Sequence, residues 1–206
     1  MYSEKRQTSN TKLSKKLSWL LRHGADEAGI KLSNNGWANL EDILRLPNFA
    51  RNTKKDIIVV VQNCPKQRFS LKEEEGKTFI KACQGHSIKE IDFELTPILS
   101  AESQPFAYHG TYLKVWPKIK LEGLSRMNRV HIHFSPSMPK SAEETSGIRK
   151  NCQIIIEVDI AKLLAANFKI FQSENNVILT EGNEKGFIPP EFFSKAIERK
   201  TGKNLL

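Results

Sequence analysis

The chain lacks the long hydrophobic runs of membrane and secreted proteins. No uninterrupted apolar run in its 206 residues approaches the about 20 residues that a bilayer-spanning helix needs. The N-terminal stretch MYSEKRQTSNTKLSKK is polar and has no apolar segment of the kind found in signal peptides. We therefore expect an intracellular protein, cytoplasmic or nuclear, without a membrane partner.

Cysteine and the common catalytic signatures are also scarce. The three cysteines, Cys64, Cys83 and Cys152, are odd in number and widely spaced, which argues against a disulfide framework or a CxxC zinc site. The chain has no GxSxG elbow, no P-loop, no GxGxxG and no HExxH. Arginine and histidine dominate the polar motifs instead, and these side chains suit electrostatic stabilisation of phosphates.

The chain has fewer acidic residues than basic ones. The net charge is +9 and the pI about 9.5, and both halves of the chain carry the excess. This predicts a polyanionic partner such as nucleic acid, although a soluble protein that is merely basic has the same charge.

The first half has the pattern of a winged-helix domain. Leucines at helical spacing precede Gly24, which we expect at the helix C-cap. LEDILRLP, with Asn39 as N-cap, predicts a second helix, and NTKKDIIVVVQNCP a third, although its Ile/Val run would also suit a strand. Two alternating stretches, 68–71 and 78–82, predict a hairpin. Such modules often bind nucleic acid, but a fold does not settle a function.

The second half predicts a strand-rich α+β domain. FAYHGT predicts a strand and the following stretch a helix up to Gly123. RVHIHFS, QIIIEVD, FKIFQSE and NVILT predict further strands, IAKLLAAN a short helix, and PEFFSKAIERK a last helix after two prolines. We therefore predict an α+β protein with a winged-helix lobe at 1–95 (1–11 flexible), a linker at 96–105 and a mixed α/β lobe at 106–206.

Arginine, lysine and histidine mark three candidate sites in the first half. Arg22 and His23 end the first helix, where cations either complement the helix dipole or clamp an anion. Arg68 opens the hairpin, as an edge-strand charge or as a phosphate contact. KACQGHSI is either a solvent loop or an anion-binding loop. Its candidate phosphate-binding residues are Lys81, Gln84, His86 and Ser87.

Two further motifs in the second half combine histidine with polar residues. His109, Gly110 and Thr111 end a strand before a helix whose N-terminus suits a phosphate. In SRMNRVHIHFSP, the period of two places four polar side chains on one strand face and Val130, Ile132 and Phe134 on the other. The polar face consists of Arg129, His131, His133 and Ser135.

This polar strand face could form either a metal site or a pocket for a polar ligand. His109 could supply a third zinc ligand, but an arginine on the same face would repel a divalent cation. We therefore expect no metal. Arg149 and the turn residues Asn175 and Asn176 belong either to the pocket or to plain loops.

Together these segments resemble the RNA 2′-phosphotransferase family, tRNA-splicing enzymes that use NAD, in its eukaryotic form. The matching pieces occur in family order over nearly the whole chain: LSKKLSWLLRHGA, NGWANLEDIL, KQRFSL, KACQGHSI, YHGT, GLSRMNRVHIHFSP, SGIRKNC and NNVILT. Each motif alone is weak, but their ordered set is specific.

The resemblance implies a winged-helix RNA lobe and a lobe with the ADP-ribosyltransferase fold. It implies that the 2′-phosphate of spliced tRNA attacks C1″ of the nicotinamide ribose of NAD, and nicotinamide leaves. The ribose 2″-hydroxyl then attacks the bridging phosphate of this ADP-ribosylated RNA. The products are RNA with a 2′-hydroxyl and ADP-ribose 1″,2″-cyclic phosphate. NAD is thus a co-substrate, no metal is needed, and a monomer is expected.

The resemblance also assigns residues. The essential family residues fall on Arg22, His23, Arg68 and Arg129. His109, Gly110 and Thr111 match the NAD-binding strand and turn, and the same pocket is expected to include His131, Ser135, Arg149 and Asn176. Lys81 stands where some relatives carry arginine, so the bidentate fork is lost there.

Two alternatives remain at this stage. One is an ADP-ribosyltransferase that caps nucleic-acid phosphates and stops after the first step. The other is a non-catalytic winged-helix nucleic-acid-binding protein, whose affinity would fall with salt and would not need NAD.

Overall fold

The fold is described from a computed structural model that covers residues 2–88, 91, 94–138, 148–149 and 151–206, with side chains from residue 10 onward. Gly147, the glycine of the SGIRKNC motif, lies outside these residues. The chain divides into two compact units, Met1–Glu94 and Leu95–Leu206. The described residues form a mixture of helices and small antiparallel sheets, as predicted. No helix among them is long and apolar enough to cross a membrane.

The first unit contains five helical segments among its described residues. They are α1 (Tyr2–Trp19), a π-helical turn (Leu20–Gly24), α2 (Leu40–Arg45), a 3₁₀ turn (Pro47–Phe49) and α3 (Lys54–Gln62). The predicted stripe of leucines runs from α1 into the π-helical turn, and its members Leu17 and Leu20 are fully buried in the core. The prediction of a helix C-cap at Gly24 was wrong, because the chain stays right-handed through Ala25.

Capping side chains explain where α2 and α3 begin. Asn39 caps α2 by accepting a hydrogen bond from the backbone N–H of Glu41. Thr53 and Asp56 form a reciprocal capping box at the start of α3. This box favours a helix over the alternative strand, and the helix prediction for the Ile/Val run is confirmed.

The predicted hairpin is also confirmed. Strands β2 (Phe69–Glu74) and β3 (Lys77–Ala82) pair along their whole length. Glu75 and Gly76 form the turn with φ values of 51° and 73°, as tight hairpin turns require. A short strand, β1 (Ala38–Asn39), pairs with β3, so the sheet order is β1-β3-β2.

The second unit contains nine short strands and two α-helices among its described residues. The strands are β4 (Thr96–Pro97), β5 (Phe106–Thr111), β6 (Leu124–Ser125), β7 (Ile132–Phe134), β8 (Ile154–Asp159), β9 (Phe171–Gln172), β10 (Ile178–Thr180), β11 (Phe187–Ile188) and β12 (Phe193–Glu198). The helices are α4 (Trp116–Glu122), which follows a 3₁₀ turn, and α5 (Ile160–Ala165). Segment 96–97, expected in the linker, pairs with β9.

These strands form antiparallel sheets in the orders β4-β9-β10-β7, β12-β8-β5 and β11-β6. Backbone hydrogen bonds of 3.0 and 2.8 Å between Tyr108 and Ser135 join the first two sheets. Ile132 and Phe134 lie in the core of this unit, as predicted. The rest of the predicted strand was wrong, because Arg129, Val130 and His131 precede β7 in a bend. Arg129 therefore does not share a strand face with His133 and Ser135.

The prediction of a last helix in PEFFSKAIERK was wrong. Pro190–Phe192 forms a single 3₁₀ turn, and Phe193–Glu198 is strand β12. Its backbone pairs with β8 from Phe193 opposite Val158 to Glu198 opposite Ile154, with one bulge. Pairing with a buried neighbour strand therefore outweighs the helix propensity of the Glu, Lys and Ala residues.

Candidate active site

A cavity of about 560 Å³ in the first unit contains three of the four predicted catalytic residues. The polar face of α1, its π-helical turn, the end of α3 and the loop before β2 form its walls. The lining residues are Asn10, Thr11, Ser14, Lys15, Ser18, Trp19, Arg22, His23, Val60, Asn63, Pro65 and Arg68. None of these described lining residues is acidic, so three permanent cations and a histidine face the same space.

The loop after β3 braces Arg22 and His23. The backbone N–H of Ser87 donates to the carbonyl of Arg22 at 3.1 Å, and the Ser87 hydroxyl lies 2.9 Å from His23 Nδ1. Gly85 has a φ of 90°, and a Cβ there would lie 3.4 Å from the Arg22 guanidinium. The guanidinium therefore lies against the Gly85 backbone, and the loop fixes the position of both cavity residues.

The residues predicted to bind RNA phosphate in that loop do not line the cavity. Lys81 and His86 are 5% and 2% exposed, respectively. The Lys81 ammonium makes an ion pair with Glu94 at 2.9 Å and lies 4.8 Å from the centre of the Trp37 ring. Gln84 is half-buried beside Gly85.

Arg68 reaches the cavity from the opposite wall. It directly precedes β2, and its carbonyl accepts a hydrogen bond from the backbone N–H of Cys83 at 2.9 Å. Its guanidinium donates to Cys64 Sγ at 3.4 Å. These contacts orient the side chain and leave much of its hydrogen-bonding capacity for an anion.

The second unit contains a separate group of cationic residues around His109. The imidazole of His109 bonds through Nδ1 to the carbonyl of His133 at 2.9 Å and meets the Phe134 ring edge-on. Burial lowers the pKa of His109, and the charges of Arg149 and Arg129 lower it further, against the effect of the backbone hydrogen bond. His109 is therefore neutral near pH 7.

Arg149 lies close enough to Arg129 for its charge to act on the Arg129 guanidinium. Partial burial of its guanidinium lowers the pKa of Arg129, and the charge of Arg149 lowers it further. The Arg149 guanidinium is 5.9 Å from the centre of the Tyr112 ring. Two like charges held together favour an anion that neutralises both.

The remaining predicted NAD-pocket residues divide into buried and exposed ones. Burial lowers the pKa of His131, Glu181 opposes this and Arg126 adds to it. Ser135 is fully buried, and its hydroxyl donates to the carbonyl of Ser137 at 2.8 Å. Asn176 is an exposed turn residue with a φ of 61°.

The YHGT motif is built into the sheet. Thr111 is buried and pairs with Ile154 of β8. A Cβ at Gly110 would lie 2.6 Å from Ile148 and 2.8 Å from Cys152 Sγ. Glycine is thus required here by packing against the chain itself.

Among the described residues, no group of three His, Cys, Asp or Glu side chains could hold a metal ion.

Sequence reasoning missed several residues. Lys15 and Trp19 line the cavity, and the spacing of Lys15, Trp19 and Arg22 on one helix face was a signal that could have found them. Asn175, predicted together with Asn176 to be a turn residue, is buried and accepts a hydrogen bond from Ser173 at 2.8 Å.

Known proteins are similar to this chain over most of its length. Residues 8–182 match the family model described as "RNA 2'-phosphotransferase, Tpt1 / KptA family". The chain is 41% identical to the tRNA 2′-phosphotransferase 1 of Mus musculus, over 97% of this chain and 82% of that protein. It is 39% identical to the protein of the same name from Danio rerio, over 92% and 86%.

A bacterial relative is more distant. The probable RNA 2′-phosphotransferase of Rhizobium johnstonii is 34% identical over 90% of this chain and 94% of that protein. The chain therefore belongs to the RNA 2′-phosphotransferase, Tpt1/KptA, family.

Proposed function

We propose that this protein is a transferase that removes the internal 2′-phosphate from spliced tRNA and passes it to NAD. The cavity of the first unit carries this proposal, because it brings Arg22, His23 and Arg68 together without an acidic lining residue. The relatives named tRNA 2′-phosphotransferase support the same substrate class.

We further propose that the first unit is a winged-helix RNA lobe. Its order of helices, with a hairpin after α3 and β1 paired to β3, supports this assignment. In the same proposal the second unit is an NAD lobe with the ADP-ribosyltransferase fold.

The residues of the first unit fit a phosphate dianion. Arginine forks bind phosphate through two parallel hydrogen bonds, and His23 adds a further donor. A phosphate oxygen is already a nucleophile, so these side chains need to hold and aim it, and no general base is needed. When charge builds up at phosphorus, the same cations stabilise it.

The residues of the second unit fit the diphosphate of NAD. The charge of Arg149 disfavours the Arg129 cation unless an anion neutralises the pair. His109 uses its Nδ1–H on the carbonyl of His133, so in the neutral ring Nε2 is left to accept a hydrogen bond beside them. NAD supplies the ribose carbon that accepts the phosphate and the nicotinamide that leaves. Arg129 is the residue of this unit that we assign to the transferred phosphate.

Replacing Arg68 or Arg129 by alanine tests this assignment. We expect each variant to lose at least about 100-fold in turnover of a 2′-phosphorylated RNA, because removing one such electrostatic group costs on the order of 10²–10³ in rate. The assay measures nicotinamide release and dephosphorylated RNA after incubation with NAD. Lys118→Ala, at an exposed position of α4, is the control and should keep full activity.

Two results would contradict the proposal. Full turnover by both arginine variants would show that Arg68 and Arg129 do not have the catalytic roles assigned to them. A stable ADP-ribosylated RNA from the wild-type protein would indicate instead an enzyme that stops after the first step.

A further inference from the structure

Trp19 is a large apolar side chain left 49% exposed on a helix that buries its leucines. A single exposed hydrophobic residue needs no explanation by itself. Trp19, however, lines the same cavity as Arg22, His23 and Arg68, and the proposed phosphate transfer gives its indole no role.

The indole ring is held in place by the π-helical turn. A Cβ on Gly24 would lie 2.3 Å from Trp19 Cη2 and 2.4 Å from Cζ3, so the six-membered ring lies directly against the glycine backbone. Single π-helical turns within α-helices occur often at functional sites. The ring is thus a preorganised flat surface, which reduces the entropy lost when a ligand stacks on it.

The charges around the ring indicate the kind of ligand. Lys15 lies one turn before Trp19 on α1 and lines the same cavity. Cationic side chains interleaved with an aromatic surface are the usual arrangement for single-stranded nucleic acid, whose phosphates pair with the cations and whose bases stack. The 2′-phosphate and the base are attached to neighbouring carbons of one ribose. A site that holds the phosphate therefore has a base close to it.

We propose that Trp19 is a stacking platform for a nucleobase of the RNA, at the 2′-phosphorylated nucleotide or an immediate neighbour. Lys15 contacts a flanking backbone phosphate in the same arrangement. The proposal rests on the proposed function in taking the same RNA as substrate. Every base has a flat π face, so the platform selects an unstacked strand and tolerates different sequences.

Binding measured without NAD gives the first test. The probe is a 5′-fluorescein-labelled oligoribonucleotide with one internal 2′-phosphate, followed by fluorescence anisotropy. Stacking is worth about 1–3 kcal/mol per base, so Trp19→Ala should weaken binding about 5- to 100-fold. Trp19→Phe keeps an aromatic face and should bind within a few-fold of wild type. Wild-type affinity in Trp19→Ala would overturn the proposal.

Abasic probes separate a direct contact from a merely structural role. Three oligonucleotides lack the base at the 2′-phosphorylated nucleotide, at its 5′ neighbour or at its 3′ neighbour. The loss caused by Trp19→Ala should disappear on one of them, because the stacking partner is already absent. A loss that persists on all three would overturn the proposal.

A second variant, Gly24→Ala, distinguishes loss of the stacking surface from misfolding. Gly24→Ala keeps every side chain of the cavity, but its Cβ would displace the indole. It should weaken binding like Trp19→Ala while its thermal unfolding stays close to that of wild type.

The KM values for the RNA and for NAD show which of the two ligands stacks on Trp19. Trp19→Ala should raise KM for the RNA and leave KM for NAD within about twofold, because stacking that is equal in ground and transition states affects binding alone. A rise in KM for NAD alone would assign the indole to the dinucleotide and overturn the proposal. Absence of turnover in wild type would contradict the proposed function only, since the binding test needs no reaction.

Lys15 is tested by salt dependence. Lys15→Ala should reduce the slope of log K against log salt by about 0.7, the value for one contact to a single strand. Lys12→Ala is the matched control, because Lys12 is exposed on the same helix and does not line the cavity. Equal slopes of log K against log salt in the two variants would show that Lys15 does not contact the RNA.

Discussion

Arg126 positions Arg129. From the sequence, Arg126 is expected to be a surface charge, out of phase with the histidines. In the structure its carbonyl accepts from the Arg129 N–H at 3.1 Å, and its guanidinium donates to the Arg129 carbonyl at 3.3 Å. The same guanidinium lies against Gly186, where a Cβ would be 2.4 Å from Arg126 Nε. Gly186 therefore leaves room for the side chain that holds the Arg129 backbone.

Replacing Gly186 by alanine should lower turnover. The Cβ would displace Arg126 and loosen Arg129, and the positive φ of 78° would add strain of about 1–2 kcal/mol. Gly202→Ala is the matched control, because Gly202 has a φ of 72° with no atom within 4 Å of the added Cβ. Thermal melts should show similar destabilisation, whereas only Gly186→Ala should lower kcat. Equal kcat values would refute the positioning role of Arg126.

At the scale of elements, local signals decided most of the first unit. The capping box at Thr53 and the turn at Gly76 act over a few residues, so they were readable from the sequence. Strand β12 was not readable, because its conformation depends on pairing with β8, which lies far away in the chain. The π-helical turn was also missed, because no motif or period in the sequence marks it, although the contact of Trp19 with Gly24 spans only five residues.

Replacing Thr53 by alanine should destabilise the first unit. The variant loses the hydroxyl that accepts from the Asp56 N–H, at a cost of about 0.5–2 kcal/mol. Thermal unfolding should move to lower temperature, and Thr53→Ser, which keeps the hydroxyl, should recover most of the loss. An unchanged melting temperature in Thr53→Ala would show that the cap contributes nothing.

At the scale of the whole molecule, charge and pH act together. The net charge of +9 suits an RNA partner, but the structure concentrates particular cations around the cavity of the first unit and around His109 in the second. Buried histidines with lowered pKa values make stability depend on pH, because the unfolded chain binds protons more readily than the folded one.

Stability should therefore fall as the pH drops below about 6.5, the ordinary pKa of histidine. The pKa values of His109 and His131 are lowered in the folded state, so stability is lost between the unfolded pKa and the lower folded ones. Each group contributes up to about 1.4 kcal/mol per pH unit. Melting temperature measured from pH 7.5 to 5 should show a shallower decline in His109→Asn. An identical decline in that variant would show that His109 does not contribute to the loss of stability at low pH.

The sequence alone determined the family, the mixture of helices and strands, and the polar motifs, because these depend on ordered motifs, short-range periodicity and capping. Tertiary structure decided which polar residues act together. It brought Arg68 to the cavity of Arg22 and buried Lys81 against Trp37 and Glu94. Contacts between residues far apart in the chain depend on packing, and no local pattern specifies them.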